Sequence, residues 1–149
     1  MSAQDTAGDL HGVAERRLRL IDQRYTSGRR AIVGPLMSAG HPVSIGDIAE
    51  RLPGLPRSSA YRHLTDLHAA GLVRRVAASD EFTRFELAED LTEHHHHLLC
   101  VNCGKVIDVT LPAGFEKQAA QAISELADAE GFQAHSHRLD VVGLCSACH

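Results

Sequence analysis

Tryptophan is absent from this 149-residue chain, and aromatic residues make up only 4% of it, so any core must be aliphatic. Long apolar runs are missing too. None approaches the roughly 20 residues that a membrane-spanning helix needs, so no membrane partner is expected. The opening residues, MSAQDTAGDLHG, lack the basic-then-apolar order of a secretory signal. A cytoplasmic location is therefore expected. In a reducing compartment, the four cysteines read as metal ligands rather than disulfide partners. An excess of positive charge is also lacking, since the formal net charge is −4. That average hides a split. Residues 13–87 hold 12 basic and 8 acidic side chains, whereas residues 88–149 hold 3 and 9. All four Cys and seven of the eleven His fall in the second part. One part is suited to a polyanion and the other to different chemistry.

Residues 1–12 are expected to be disordered, and residues 13–87 to form one domain. Val13, Arg17, Leu18 and Ile21 fall at helical spacing. Thr26 can cap a second helix with Ile32, Val33, Leu36 and Met37 inward, although Pro35 should kink it or delay its start. Ser44 and Asp47 form a capping-box pattern before Ile45, Ile48, Ala49 and Leu52. After the LPGLP break a further helix begins near Arg57. Ala60, Leu64 and Leu67 face inward and Gly71 ends it. Its outer face holds Ser58, Ser59, Tyr61, Arg62 and Thr65. Leu72–Val76 and Thr83–Leu87 then alternate as a hairpin around Ser79-Asp80-Glu81. Helix, turn, helix and hairpin is the winged-helix order, in which the second helix of the pair enters the major groove. Arg57, Ser59, Tyr61 and Arg62 are the expected DNA contacts. The alternative is that Tyr61 belongs to the core and Arg62 is merely solvated.

Residues 88–93 read as a hinge and residues 94–149 as a metal domain. Cys100-Val101-Asn102-Cys103-Gly104 and Cys145-Ser146-Ala147-Cys148 are two CxxC knuckles that use every cysteine. The two-residue gap lets both thiolates of a knuckle reach one ion, so a closed, structural zinc site is expected. The competing reading is redox dithiols. His94-His95-His96-His97 precedes the first knuckle and runs toward a strand. Alternation would send His95 and His97 to one face and His94 and His96 to the other. Each pair can chelate its own divalent ion, since imidazole suits zinc, ferrous iron and nickel. Pro112–Glu130 reads as a helix with Ala119, Ala120, Ile123 and Leu126 inward. His135–Gly143 reads as a strand with His135, His137, Leu139 and Val141 on one face. The fold class is thus α/β (α+β): a winged helix followed by an α/β dimerisation domain with a four-cysteine zinc site.

The segments SSAYRHLTDLHAAGLV (58–73), HHHHLLCVNCGKVIDV (94–109) and HSHRLDVVGLCSAC (135–148) resemble the ferric uptake regulator superfamily. That group includes iron, zinc, manganese, nickel and peroxide sensors. The resemblance covers about residues 24–148, with Ser59-Ala60 standing where the family commonly has Thr-Val. It implies a homodimeric repressor that binds an AT-rich inverted repeat of double-stranded DNA when its sensory metal is loaded. It places Tyr61 and Arg62 in the recognition helix and Arg24 near the minor groove. It assigns a sensory site to His95 and His97, with a hinge carboxylate (Glu86, or else Glu89 or Asp90) and a His from the first domain, His41. It assigns a further metal site to His94, His96, Glu116 and His137. Asp108 matches a carboxylate used in some peroxide-sensing members. The sensory ion is expected to be Fe2+ or Zn2+, with Mn2+ and Ni2+ as options, beside a structural Zn2+.

Two readings of other classes compete. A metalloenzyme would need an open metal position, but no HExxH is present, and no enzyme is expected. A metal-trafficking module would not bind DNA.

Overall fold

The computed structural model describes residues 3–77, 79, 81 and 83–149. Its first helix, α1 (Ala3–Arg19), takes in residues 3–12 of the segment expected to be disordered, and residues 1 and 2 lie outside the described residues. Leu10, Ala14 and Leu18 follow one another at four-residue spacing on one face and are buried in the core. The apolar stripe therefore begins before Val13, while Ile21 lies beyond the helix end and is exposed.

Helix α2 (Ser27–Ser38) opens at Thr26, whose hydroxyl accepts from the Arg29 backbone N–H at 3.3 Å. Its inner face buries Ile32, Val33 and Leu36, and Pro35 lies inside it without ending it. A short strand that the alternation did not reveal, β1 (Val43–Ser44), leads into α3 (Ile45–Arg51). Here the capping box is complete. Ser44 Oγ accepts from the Asp47 N–H at 3.1 Å, and Asp47 Oδ2 accepts from the Ser44 N–H at 2.7 Å. Helix α4 (Arg57–Ala69) buries Ala60, Leu64 and Leu67. Gly71 stops it at φ +69°, a backbone state that disfavours a side chain.

Strands β2 (Val73–Val76) and β3 (Arg84–Leu87) pair antiparallel, and β1 adds to the free edge of β3. The turn expected at Ser79-Asp80-Glu81 includes Asp80, which lies outside the described residues. The hinge forms a 3₁₀ turn, Glu89–Leu91, with Leu91 packed on the core. Arg17 ties this turn to the end of α4: its guanidinium pairs with Asp90 and donates to the Gly71 carbonyl at 2.7 Å.

The second half holds β4 (His96–Cys100), β5 (Val106–Val109), α5 (Ala113–Ala129) and β6 (Asp140–Gly143). β4 is central, antiparallel to β5 and parallel to β6. A parallel pair needs a long crossover, and α5 lies in that connection. Two expectations are corrected here. The last strand covers only Asp140–Gly143, so His135–Leu139 lie outside any strand. On α5, Ala120 and Leu126 are exposed and Ala127 is the buried position. The main hydrophobic cluster is drawn from residues 10–87. The C-terminal sheet has little core of its own, and all four residues of β6 are exposed.

Candidate metal centres and nucleic-acid interface

Cys100 ends β4, Cys103 follows in a tight turn closed by Gly104 (φ +70°), and Cys145 and Cys148 follow β6. The four Sγ atoms lie within 4.8 Å of one another. Cys103 and Cys145 Sγ are 3.7 Å apart, far beyond a disulfide bond. Thiolates about 2.3 Å from a tetrahedral zinc would be about 3.8 Å apart along each edge, so the observed spacing fits that ion. Backbone N–H groups of Cys103 and Cys145 pull the Cys100 thiol down to about 6. Such a group is largely thiolate at neutral pH, the form that binds metal.

The His run divides as its alternation predicts. Glu86 of β3, His95 just before β4, His97 on β4 and Asp108 on β5 bring one ligand atom each within 4.8 Å of the others. Glu86 Oε2 lies 3.1 Å from His95 Nε2, and Glu86 Oε1 lies 3.2 Å from His97 Nε2. Both rings are anchored through Nδ1. His97 Nδ1 meets Asp140 Oδ1 at 3.0 Å and His95 Nδ1 meets the Glu93 carbonyl at 2.8 Å. Carboxylate and carbonyl can only accept, so each Nδ1 carries a proton, and each Nε2, which faces Glu86, becomes free to ligate an ion once it carries none. Burial alone would raise the Glu86 pKa. Hydrogen bonds from His97 and His95 and the Arg74 charge outweigh it and bring it to about 2. Asp108 moves the other way, raised by burial and by repulsion from Glu86. Its Oδ1 is buried with no hydrogen-bond partner among the described residues. A divalent cation among these groups would satisfy that orphaned oxygen and balance two carboxylates, so the donor set fits one.

Of the three acidic hinge candidates, only Glu86 reaches this cluster. Glu89 hydrogen-bonds His94, and Asp90 pairs with Arg17. His41 is not among the converging atoms. It is exposed on the wall of a cavity of about 390 Å³ that also borders Glu86, His95 and Asp108, with its Nδ1 3.0 Å from the Pro42 carbonyl.

On the opposite face of β4, His94, His96, Glu116 and His137 converge within 4.8 Å. Glu116 of α5 is the hub. Its Oε1 lies 2.6 Å from His96 Nε2, and its Oε2 lies 3.4 Å from both His94 Nε2 and His137 Nε2. Burial works to raise Glu116, but the His96 hydrogen bond and the surrounding imidazoles hold it below its usual value. Three imidazoles and one carboxylate also fit a divalent ion. Residue identity had not pointed to Asp140, Glu93 or Arg74 as supports of these rings and carboxylates. Asp140 becomes a partner because the parallel pairing sets it opposite His97.

On α4, Arg57, Tyr61 and Arg62 are exposed and Ser59 is half-buried. Tyr61 is 53% exposed, which excludes the reading of it as a core residue. Arg57 and Tyr61 stand one helical turn apart, as do Ser58 and Arg62. Arg24 is exposed in the loop before α2, and its carbonyl accepts from the buried Arg29 guanidinium. Arg29 also donates to Asp66 of α4 at 2.6 Å, so that loop is clamped to α4.

Residues 21–142 match the family described as the ferric uptake regulator family. The peroxide operon regulator of Bacillus subtilis (strain 168) is 30% identical over 153 aligned residues, spanning 99% of this chain and 96% of that protein. Among solved structures, the Pseudomonas aeruginosa ferric uptake regulator with manganese is 28% identical with a TM-score of 0.68. The match covers 89% of this chain and 98% of that one. The Helicobacter pylori ferric uptake regulator has a TM-score of 0.70 at 23% identity, over 93% of each chain, which is a likeness of fold.

Proposed function

The chain belongs to the ferric uptake regulator family, and from that premise we propose that it represses metal-homeostasis genes with a divalent metal as co-repressor. Members of this family are dimeric, metal-responsive DNA-binding regulators and not enzymes. The observation that carries the reading is the position of Glu86. It belongs to the wing strand of the DNA-binding half, while His95, His97 and Asp108 belong to the other half. An ion held by all four binds one arrangement of the two halves best, and shifts the population toward it in proportion to that preference. His41, on the wall of the adjoining cavity, is a further ligand if that wall moves inward.

In this reading Cys100, Cys103, Cys145 and Cys148 hold a structural zinc, and His94, His96, Glu116 and His137 hold an additional metal. Residues 13–87 are the DNA-binding domain, 88–93 the hinge and 94–149 the dimerisation domain. Arg57, Ser59, Tyr61 and Arg62 on α4 meet the major groove of an AT-rich inverted repeat, with Arg24 on the flanking minor groove. The exposed apolar side chains of the second half, Val141, Val142, Leu126 and Phe132 among them, give a homodimer its contact surface. The regulatory cluster offers two imidazoles, two carboxylates and no thiolate, which favours ferrous iron while still admitting zinc.

A second reading has its own support in Asp108 and in the Bacillus relative, which is named as a peroxide regulator. Ferrous iron would supply one-electron peroxide chemistry beside His95 and His97, whose oxidation would break the ligand set. The test is retention of an AT-rich inverted repeat by the zinc-stapled protein, titrated separately with ferrous iron, zinc, manganese and nickel. Retention that switches on with one ion supports the co-repressor reading, and its loss with peroxide, with oxygen added to a His peptide, selects the second. Retention with none of them refutes both.

A further inference from the structure

Arg74 stands between the two histidine clusters and belongs to neither ligand set. It sits on β2 directly opposite Glu86 of β3, the cross-strand position in which side chains interact most strongly. Its Nε donates to Glu86 Oε1. Its Nη1 lies 3.7 Å from Glu89 Oε2. Glu89 in turn accepts from His94 Nδ1, the anchoring nitrogen of a ring in the second cluster. The remaining guanidinium nitrogen, Nη2, is buried with no hydrogen-bond partner among the described residues. Arg74 itself is only 6% exposed, so a permanent cation is held inside the molecule with its bonding capacity unfilled.

Glu86 therefore serves two cations. Its Oε1 accepts from Arg74 Nε while lying 3.2 Å from His97 Nε2, and its Oε2 lies 3.1 Å from His95 Nε2, where the regulatory ion would bind. An arriving dication draws the same carboxylate charge that neutralises Arg74. It is also repelled by the guanidinium across a single carboxylate, at low effective dielectric. Arg74 has somewhere to go. Arg74 lines cavities of about 750 Å³ and 280 Å³, the larger one also bordered by Glu89.

We propose that Arg74 is an internal cation that competes with the regulatory divalent metal for Glu86, and so sets the metal concentration at which that cluster fills, with Glu89 as its fallback partner. This rests on the assignment of Glu86, His95, His97 and Asp108 as ligands. Removing the guanidinium charge leaves Glu86 uncompensated without metal and removes repulsion with it. Both effects tighten metal binding, and neither calls on a change in the ligands.

The test uses full-length protein with its four-cysteine site filled, carrying His137→Ala to silence the second cluster. Manganese(II) is the probe, with the free ion read by electron paramagnetic resonance. Arg74→Met should bind manganese at least tenfold more tightly than the His137→Ala parent, and Arg74→Lys, which restores the charge, should return toward the parent. Affinity in Arg74→Met equal to or weaker than the parent's would overturn the proposal. So would equal tightening in Arg74→Lys, since geometry rather than charge would then be responsible. A parent that binds no manganese would instead overturn the ligand assignment beneath it. If Arg74→Met loses its native circular dichroism spectrum, Arg74→Gln replaces it under the same criteria.

Discussion

Replacing Cys103 by Ser removes one of the four thiols proposed to hold a structural zinc and should cost the C-terminal half its fold. The size of the effect follows from what else holds that half together. Strand β6, which leads to Cys145 and Cys148, is attached to β4 by a four-residue parallel ladder, and all four of its residues are exposed. Backbone hydrogen bonds contribute about 0.5–1.5 kcal/mol each, so this ladder supplies only a few kcal/mol. On α5 only Ala127 is buried, and it keeps 8% of its surface exposed. A structural zinc site, by contrast, contributes about 10–16 kcal/mol of apparent binding free energy that is also folding free energy. The metal term exceeds the packing term, so losing a thiolate should separate the fate of the two halves. The assay is thermal melting together with sedimentation velocity on Cys103→Ser and on parent protein treated with a strong zinc chelator. Both should show an early transition confined to residues 94–149 and loss of dimer, while the aliphatic core of residues 10–87 melts later. A variant that sediments as a dimer and melts in one step at the parent temperature would refute the argument that zinc outweighs packing here.

Three further outcomes follow from the site geometry. His95→Ala with His97→Ala should abolish metal-dependent DNA retention while leaving the melting of the winged-helix half unchanged. Undiminished, metal-switched retention measured by fluorescence anisotropy would contradict the regulatory assignment. Arg62→Ala should weaken operator binding by about 1–3 kcal/mol without lowering thermal stability, because the side chain is exposed. An unchanged dissociation constant would remove Arg62 from the interface. Metal binding at the Glu86 cluster should strengthen with pH. Burial lowers the His97 pKa, but hydrogen bonds to Glu86 and Asp140 raise it further, to a net value above 6.5. Its proton thus stabilises the metal-free fold below pH 6.5, and this contribution is lost as pH rises through the higher folded value. The ion requires the neutral ring, so affinity should climb by about tenfold per pH unit for one displaced proton over that window. Calorimetric affinities that stay flat between pH 6 and 8 would rule this out.

Local and short-range signals were enough for several elements because their causes lie within a few residues. The Ser44–Asp47 capping box closes over three residues, Gly71 ends α4 through its own backbone freedom, and the alternation of β4 sends the four histidines to two faces without reference to anything distant. The two-residue spacing within each CxxC knuckle likewise keeps its own two thiols close together. The early start of α1 has no local signal because Leu10 is an isolated apolar residue among polar ones, and it is buried only where other helices cover it. The inward face of α5 is hidden from the sequence for a related reason. Its apolar residues satisfy helical periodicity, but periodicity states that a stripe exists and not that this chain covers it.

Period and local backbone chemistry were thus enough for the candidate ligand types, their division between two faces and the order of elements. Tertiary structure alone decided which carboxylate of Glu86, Glu89 and Asp90 meets which histidine, that Asp108 and Asp140 flank His97, and that Arg74 lies against Glu86. Those choices depend on strand register, β2 on β3 and β4 on β5 and β6. A one-residue slip in register turns every side chain to the opposite face, so no local pattern could have specified them.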